Sequence, residues 1–244
     1  MKVIGIDTST MMGSVGIIDD NRPLGQFSLN IETTHSERLM EAVSGLIESV
    51  RITLAQIDCL AISIGPGSFT GLRIGLGTVK GLSMASDKVV VPVSTLEALA
   101  FNTPFCRHLI CPLLDAKKNE VYTALFKYAD DGSIIRLTDD LVISPGLLTD
   151  RIKEPVMFTG DGVYVYKELL MSHLGGLAYF APANTILPSG ISVAMIGLRN
   201  YQKGMTGTGS LVPLYIRKSE AEIRYEERCK TLDDGLVVGV YGFV

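Results

Sequence analysis

The chain has 244 residues, 47% of them hydrophobic and 20% charged, a composition that excludes an intrinsically disordered protein. Its net charge of −4 provides no overall basic field of the kind that nucleic-acid-binding domains use. We expect no signal peptide and no membrane span. The spacing of the four cysteines is typical neither of a metal site nor of a disulfide framework. These three expectations together predict a cytoplasmic protein.

The chain begins with a predicted β-meander, with strands at residues 3–6, 14–18 and 24–29. Asp7 ends the first strand and is followed by small hydroxyl residues and a hairpin. This arrangement is a feature of the actin, hexokinase and sugar-kinase superfamily, in which the carboxylate holds a metal-bound water and the turn holds phosphate. Asp7 and Ser9 are therefore candidate phosphate-site residues. The alternative is that they only cap the turn.

A helix is predicted next, with a capping box formed by Thr34 and Glu37. Its apolar residues recur at helical spacing and form one stripe: Leu39, Met40, Val43, Leu46, Ile47 and Val50. His35 stands at the start of this helix, and Leu39 occupies the i+4 position where a metal pair would need a second histidine. No metal site is predicted.

A glycine-rich loop, Gly65-Pro66-Gly67-Ser68, joins a predicted strand at residues 57–64 to a helix that begins near residue 70. A helix start suits an anion, which makes Gly65, Gly67 and Ser68 candidates for binding phosphate. Glycines also recur four residues apart inside the helix, at Gly71, Gly75, Gly77 and Gly81. We favour the interpretation that they let it pack closely against another helix. The loop matches neither a P-loop nor a Rossmann fingerprint.

The second half repeats the order of the first. A strand at residues 89–93 and a short helix to residue 101 precede a boundary at residues 102–104. Three strands (108–114, 121–128, 134–143), a short helix, a strand (155–159) and helices at 163–171 and 189–203 follow, with a short strand or extended segment at 211–216. This predicts a duplicated two-lobed α/β fold, with lobes at 1–104 and 105–217 and a charged tail at 218–244.

Five segments together resemble the TsaB (YeaZ) family of bacterial tRNA threonylcarbamoyladenosine biosynthesis proteins. They are residues 4–9 (IGIDTS), 34–37 (THSE), 65–75 (GPGSFTGLRIG), 114–122 (LDAKKNEVY) and 213–217 (PLYIR). The resemblance implies an actin- and hexokinase-like fold (ASKHA, ribonuclease H-like). It also implies a non-catalytic scaffold without a cofactor, which activates the catalytic paralogue TsaD, works with the ATPase TsaE and meets tRNA only through that complex.

The same resemblance implies that one surface serves both the TsaD complex and a homodimer. We assign it to the two helices, with these interface residues: His35, Leu39, Met40, Val43, Leu46, Ile47, Gly71, Arg73, Ile74, Gly75, Thr78 and Leu82. On this assignment, Gly75→Arg or Val43→Glu separates the chains and leaves the fold intact. The alternative function is an ATP-dependent phosphotransferase or ATPase, but no adenosine-binding loop is evident in the second half. The three isolated histidines oppose a metal-dependent peptidase.

Overall fold

The computed structural model describes residues 1–30, 35–207 and 211–217. For residues 30 and 35–37 only the backbone is described. Five strands from the first 94 residues form the first sheet. The strands are β1 (Lys2–Asp7), β2 (Met12–Asp19), β3 (Arg22–Asn30), β4 (Cys59–Gly65) and β5 (Val89–Ser94). Their order is β3-β2-β1-β4-β5, antiparallel within the meander and parallel from β1 to β5. The predicted meander is confirmed. The predicted Thr34–Glu37 capping box lies outside the described residues.

Three helices follow strands of this sheet: α1 (His35–Ser49), α2 (Phe69–Ser86) and α3 (Thr95–Phe101). Helices α1 and α2 cover one face, where the apolar stripe of α1 meets alternate residues of β1 and β2. Leu39, Val43 and Leu46 pack there against Ile4 and Ile6. The side-chain hydroxyl of Ser68 caps α2, because it accepts a 3.3 Å hydrogen bond from the N–H of Gly71.

The second sheet contains β6 (Leu109–Lys117), β7 (Glu120–Thr123), β8 (Phe126–Tyr128), β9 (Ile134–Arg136), β10 (Leu141–Ile143), β11 (Val156–Thr159) and β12 (Ala178–Phe180). Its main path is β10-β7-β6-β11-β12, and the small β8–β9 hairpin lies off this path. Counted along that path, the strand order matches that of the first sheet, as the predicted duplication requires. Helices α4 (Pro145–Arg151) and α5 (Gly162–Leu174) pack on this sheet.

The last helix, α6 (Gly190–Gln202), covers the other face of the first sheet, although it follows the second sheet in sequence. Helix α6 can pack there because its backbone lies directly against the backbone of β1 and β2. A Cβ at Gly5 or Gly16 would overlap the backbone around Gly190. Two predicted long strands are wrong, because residues 121–128 and 134–143 are each broken into two short strands. Strand β12 was not predicted.

Residues Met1–Leu214 form one compact unit that contains both sheets. The boundary predicted at residues 102–104 falls between α3 and β6, and the division into lobes stays a prediction. Residues 211–214 form no strand, but the N–H of Leu214 donates a 2.7 Å hydrogen bond to the carbonyl of Ile64. The predicted tail lies outside the described residues. No helix in the described ranges is long and apolar enough to cross a bilayer.

Candidate functional site

The carboxylate of Asp7 stands at the end of β1, and it is completely buried. One of its oxygens accepts hydrogen bonds from the N–H of Ser9 at 2.9 Å and from the hydroxyl of Ser9 at 2.7 Å. The other oxygen accepts a 2.5 Å hydrogen bond from the hydroxyl of Ser63 on β4. Burial raises the pKa of Asp7, and these hydrogen bonds oppose the rise. Both oxygens of this carboxylate are therefore engaged by neighbouring residues of the fold.

A stripe of glycines covers the turn that follows Asp7. The stripe is Gly67, Gly71 and Gly75, spaced four residues apart. A Cβ at Gly67 would lie 2.5 Å from the carbonyl oxygen of Ser9, and one at Gly71 or Gly75 would overlap Thr8. The prediction that Gly71 and Gly75 pack against another helix is wrong. They pack against the β1–β2 turn, which only residues without side chains can approach so closely.

Hydrogen bonds fix α2 and its loop to this turn. The N–H of Ser68 donates to the carbonyl of Ser9 at 2.7 Å, and the hydroxyl of Thr8 donates to the carbonyl of Gly71 at 2.8 Å. The residues from Asp7 to Thr10 are all buried. Their hydroxyl groups and carboxylate are thus engaged in hydrogen bonds inside the protein.

The structure brings the predicted phosphate-site residues Asp7, Ser9, Gly67 and Ser68 together, with Gly65 at the start of the loop. Sequence reasoning missed Ser63 and Thr8, which complete the arrangement. A signal for Ser63 was available, because it is the single hydroxyl residue in the apolar strand β4. Nothing in the sequence identified Thr8 as the residue that faces α2.

The second half has a related closed loop. Gly160 has a φ of +96°, and a Cβ there would overlap the backbone of Leu113 on β6. The carboxylate of Asp161 accepts a 3.1 Å hydrogen bond from the N–H of Asp115, and burial raises the pKa of Asp161. Asp115 also pairs with the Lys117 ammonium at 2.7 Å. Across the described ranges, no group of three His, Cys, Asp or Glu side chains is arranged to hold a metal.

The predicted interface residues divide into two groups. Leu39, Val43 and Leu46 are each 1% exposed and belong to the core, as does Leu82. The expectation that Val43→Glu leaves the fold intact is wrong, because it places a charge in that core. The same expectation is wrong for Gly75→Arg, because any side chain at that position would collide with Thr8.

The other predicted interface residues lie on or beside the outer surface of α1 and α2. Met40 is 39% exposed, and Ile47 and Ile74 are partly buried at the margin of the core. Thr78 is partly buried too, and the guanidinium of Arg73 lies 5.5 Å from the ring centre of Phe69. The side chain of His35 lies outside the described residues.

Further residues of α2 belong to the same outer surface. A Cβ at Gly77 or Gly81 would meet nothing within 4 Å, and Met84 is 88% exposed. These two glycines are thus on an open surface, whereas Gly71 and Gly75 face the turn. For Gly77 and Gly81, close packing against a helix of another chain stays a prediction.

The model of the family TsaD, tRNA N6-adenosine threonylcarbamoyltransferase, matches residues 30–225. This chain belongs to the TsaD family.

Within the TsaD family, the chain resembles proteins named TsaB. It is 29% identical to the tRNA threonylcarbamoyladenosine biosynthesis protein TsaB of Bacillus subtilis over 233 residues, which cover 94% of this chain and 100% of the relative. YeaZ from Pseudomonas aeruginosa has a similar structure, with a TM-score of 0.74 and 24% identity over 88% of this chain and 99% of that one. The predicted resemblance to TsaB is confirmed.

The fold class is confirmed as well. The ROK hexokinase of Thermus thermophilus superposes with a TM-score of 0.50 at 12% identity, over 84% of this chain and 100% of that one. This likeness concerns the fold alone. The TsaD-family chain described here is thus an actin- and hexokinase-like α/β protein whose first turn is closed by its own glycine stripe.

Proposed function

We propose that this chain is a non-catalytic subunit of the machinery that forms threonylcarbamoyladenosine in tRNA, and that it activates a catalytic TsaD paralogue. Its similarity to TsaB of Bacillus subtilis over 94% of its length supports the pathway. The buried and fully engaged carboxylate of Asp7 is the observation that supports a non-catalytic role.

A catalytic carboxylate must reach substrate, cofactor or a bound water. In this chain the hydroxyls of Ser9 and Ser63 occupy both oxygens of Asp7, and the glycine stripe lies over the turn. A metal site on α1 is no alternative source of catalysis. It would need a second histidine four residues after His35, and that position is occupied by the buried Leu39. The site therefore stabilises the fold of the first half and does not contact substrate.

The outer surface of α1 and α2 is the part of the chain we assign to the partner. Met40 and Ile47 stand seven residues apart on α1, while Ile74, Thr78 and Gly81 recur at helical spacing on α2. An apolar surface with open glycines admits a partner helix at short distance. Two such surfaces, one from each chain, can form a four-helix contact that buries on the order of 1,000 Å² or more.

Because TsaD is a paralogue, we expect the same surface to mediate a homodimer that competes with the TsaD complex. The ATPase TsaE completes the proposed assembly, and tRNA is bound through the complex. We place this assembly in the cytoplasm, since the spacing of the four cysteines in the sequence predicts no disulfide framework.

Reconstitution tests this function. TsaD and TsaE from the same organism are incubated with unmodified tRNA and the threonylcarbamoyl donor, with or without this chain, and the modified nucleoside is measured by mass spectrometry. We expect modification only with this chain present, and neither modification nor enzyme-like ATP hydrolysis from this chain alone. ATP turnover by the lone chain that Asp7→Ala abolishes would instead support the phosphotransferase alternative.

A further inference from the structure

A cavity of about 380 Å³ lies in the Met1–Leu214 unit and is lined by residues from both halves of the sequence. It is bounded by β2 and β3, by the end of α3, and by the loop that leads into α6. Gln26, Asn102 and Asn184 contribute side-chain amides to its wall, and Met12 and Phe101 contribute apolar surface. The volume lies in the range of small-molecule sites, and the lining, with seven polar and five apolar residues, is more polar than that of most such sites.

The described residues that line the cavity include no charged side chain. A phosphate group placed there would lose its hydration without gaining a cation, which is unfavourable. The closed turn after Asp7 offers no substitute, because its hydroxyls are already engaged. The lining therefore favours an uncharged ligand over a nucleotide.

The wall of the cavity is fixed by hydrogen bonds within the protein. The side-chain oxygen of Gln26 accepts from the hydroxyl of Ser189 at 2.8 Å and from the N–H of Ile191 at 3.0 Å. The amide nitrogen of Asn102 donates to the carbonyl of Leu187 at 2.8 Å, and its oxygen accepts from the Ser192 hydroxyl at 2.6 Å. A wall that is already ordered reduces the entropy lost when a ligand binds.

Hydrogen-bonding capacity remains free at the cavity. Asn184 is exposed, and its side-chain amide makes no hydrogen bond to the residues that the structure describes. The amide nitrogen of Gln26 donates one proton to the hydroxyl of Ser28 at 3.2 Å and keeps a second one. Amides of this type can pair with the edge of a base or with the hydroxyls of a sugar.

We propose that this cavity binds an uncharged nucleoside, with the base against Met12 and Phe101 and its polar groups on the amides of Gln26 and Asn184. The site is separate from the surface of α1 and α2, and the proposal does not rest on the activator function. Binding is measured on the chain alone, so its failure and a failure to activate TsaD are distinguishable.

Isothermal titration calorimetry of the full chain with adenosine, AMP and ATP tests this proposal. We expect saturable binding of adenosine at one site, and binding of AMP and ATP that is about tenfold weaker or more, because their phosphates find no cation. Asn184→Leu should weaken adenosine binding by about tenfold, because it removes the free amide without touching a hydrogen bond of the fold. Ala183→Trp, at an exposed position in the same wall, should abolish binding by filling the cavity.

Asn21→Leu is the matched control, since Asn21 is an exposed asparagine of the turn between β2 and β3. It should bind adenosine as the original chain does, and circular dichroism should show every variant folded. The proposal is overturned by an absence of saturable adenosine binding, by ATP binding at least as tightly as adenosine, or by unchanged affinity in folded Asn184→Leu and Ala183→Trp.

Discussion

The hydroxyl of Thr8 donates a 2.8 Å hydrogen bond to the carbonyl of Gly71, and so joins the turn after the first strand to the first turn of α2. The contact depends on the missing side chain of Gly71, because a Cβ there would overlap the carbonyl oxygen of Thr8. Six residues later in the same helix, Gly77 faces open space. One helix thus contains two glycines in opposite environments, which makes them a matched pair.

We predict opposite effects of alanine at these two glycines. Gly71→Ala should lower the free energy of unfolding by roughly 2 kcal/mol or more, because the turn must move to admit the methyl group. Gly77→Ala should raise it by up to about 1 kcal/mol through helix propensity alone. Urea unfolding of both variants measures the difference. A stabilised Gly71→Ala variant would contradict the packing of the stripe on the turn.

The role of Asp7 can be separated from catalysis by two substitutions. Asp7→Ala should cost about 1–3 kcal/mol, because it leaves the Ser9 N–H and the Ser63 hydroxyl buried without an acceptor. Asp7→Asn keeps an oxygen for Ser9 and an amide that can donate to Ser63, so it should fold and still activate TsaD. Reconstituted tRNA modification with the folded Asp7→Asn chain is the measurement, and loss of activity in that variant would indicate that the carboxylate acts chemically.

Asp7 also predicts a dependence of stability on pH. Its pKa in the folded chain is raised above the ordinary 3.8, so the folded chain holds this proton more tightly than the unfolded chain does. The contribution of Asp7 to the free energy of unfolding therefore falls as the pH rises from near 3.8 toward the folded pKa, and stays low above it. The stability of Asp7→Asn relative to the original chain should accordingly be greater near pH ~7 than near pH ~4. Urea unfolding at both values tests the sign, and a smaller advantage near neutral pH would refute it.

Gly81→Arg tests the partner surface without touching the core. Because a Cβ at Gly81 meets nothing within 4 Å, the isolated chain should fold at least as stably as before. A large charged side chain on the open surface should reduce both self-association and TsaD binding, and tRNA modification with them. Sedimentation alone and with TsaD provides the measurement.

Ser172→Arg is the control for that variant, since Ser172 is an exposed residue of α5, far along the chain from the assigned surface. It should associate as the original chain does. Folded Gly81→Arg that dimerises and binds TsaD with unchanged affinity would place the partner surface elsewhere.

The cysteines are expected to differ in reactivity. Burial raises the pKa of Cys59 and of Cys111 to about 12, whereas Cys106 is partly exposed. Since the thiolate is the reactive form, Cys59 and Cys111 should resist iodoacetamide in the native chain near pH ~8 and react once the chain is unfolded. Peptide mass spectrometry after labelling distinguishes them from Cys106. Rapid native labelling of Cys59 would contradict its place in the core.

The sequence predicted most strands and helices because their apolar residues recur at clear periods, as in the stripe of α1. It could not say what a stripe contacts. Leu39, Val43 and Leu46 looked available to a partner, but the first sheet buries all three. Contacts between residues far apart in the chain leave no periodic pattern in the sequence. The ion pair between Glu97 on α3 and Arg199 on α6 is an example.

The position of α6 has a consequence for synthesis on the ribosome. Val3, Cys59 and Val91 of the first sheet are covered by residues of α6 such as Val193 and Ile196. These helix residues are made about a hundred positions after the sheet is complete. Until they emerge, the nascent chain must leave an apolar sheet face uncovered, a condition that favours aggregation or chaperone binding. A fragment ending near residue 104 should therefore be insoluble alone and recover when a peptide containing α6 is supplied.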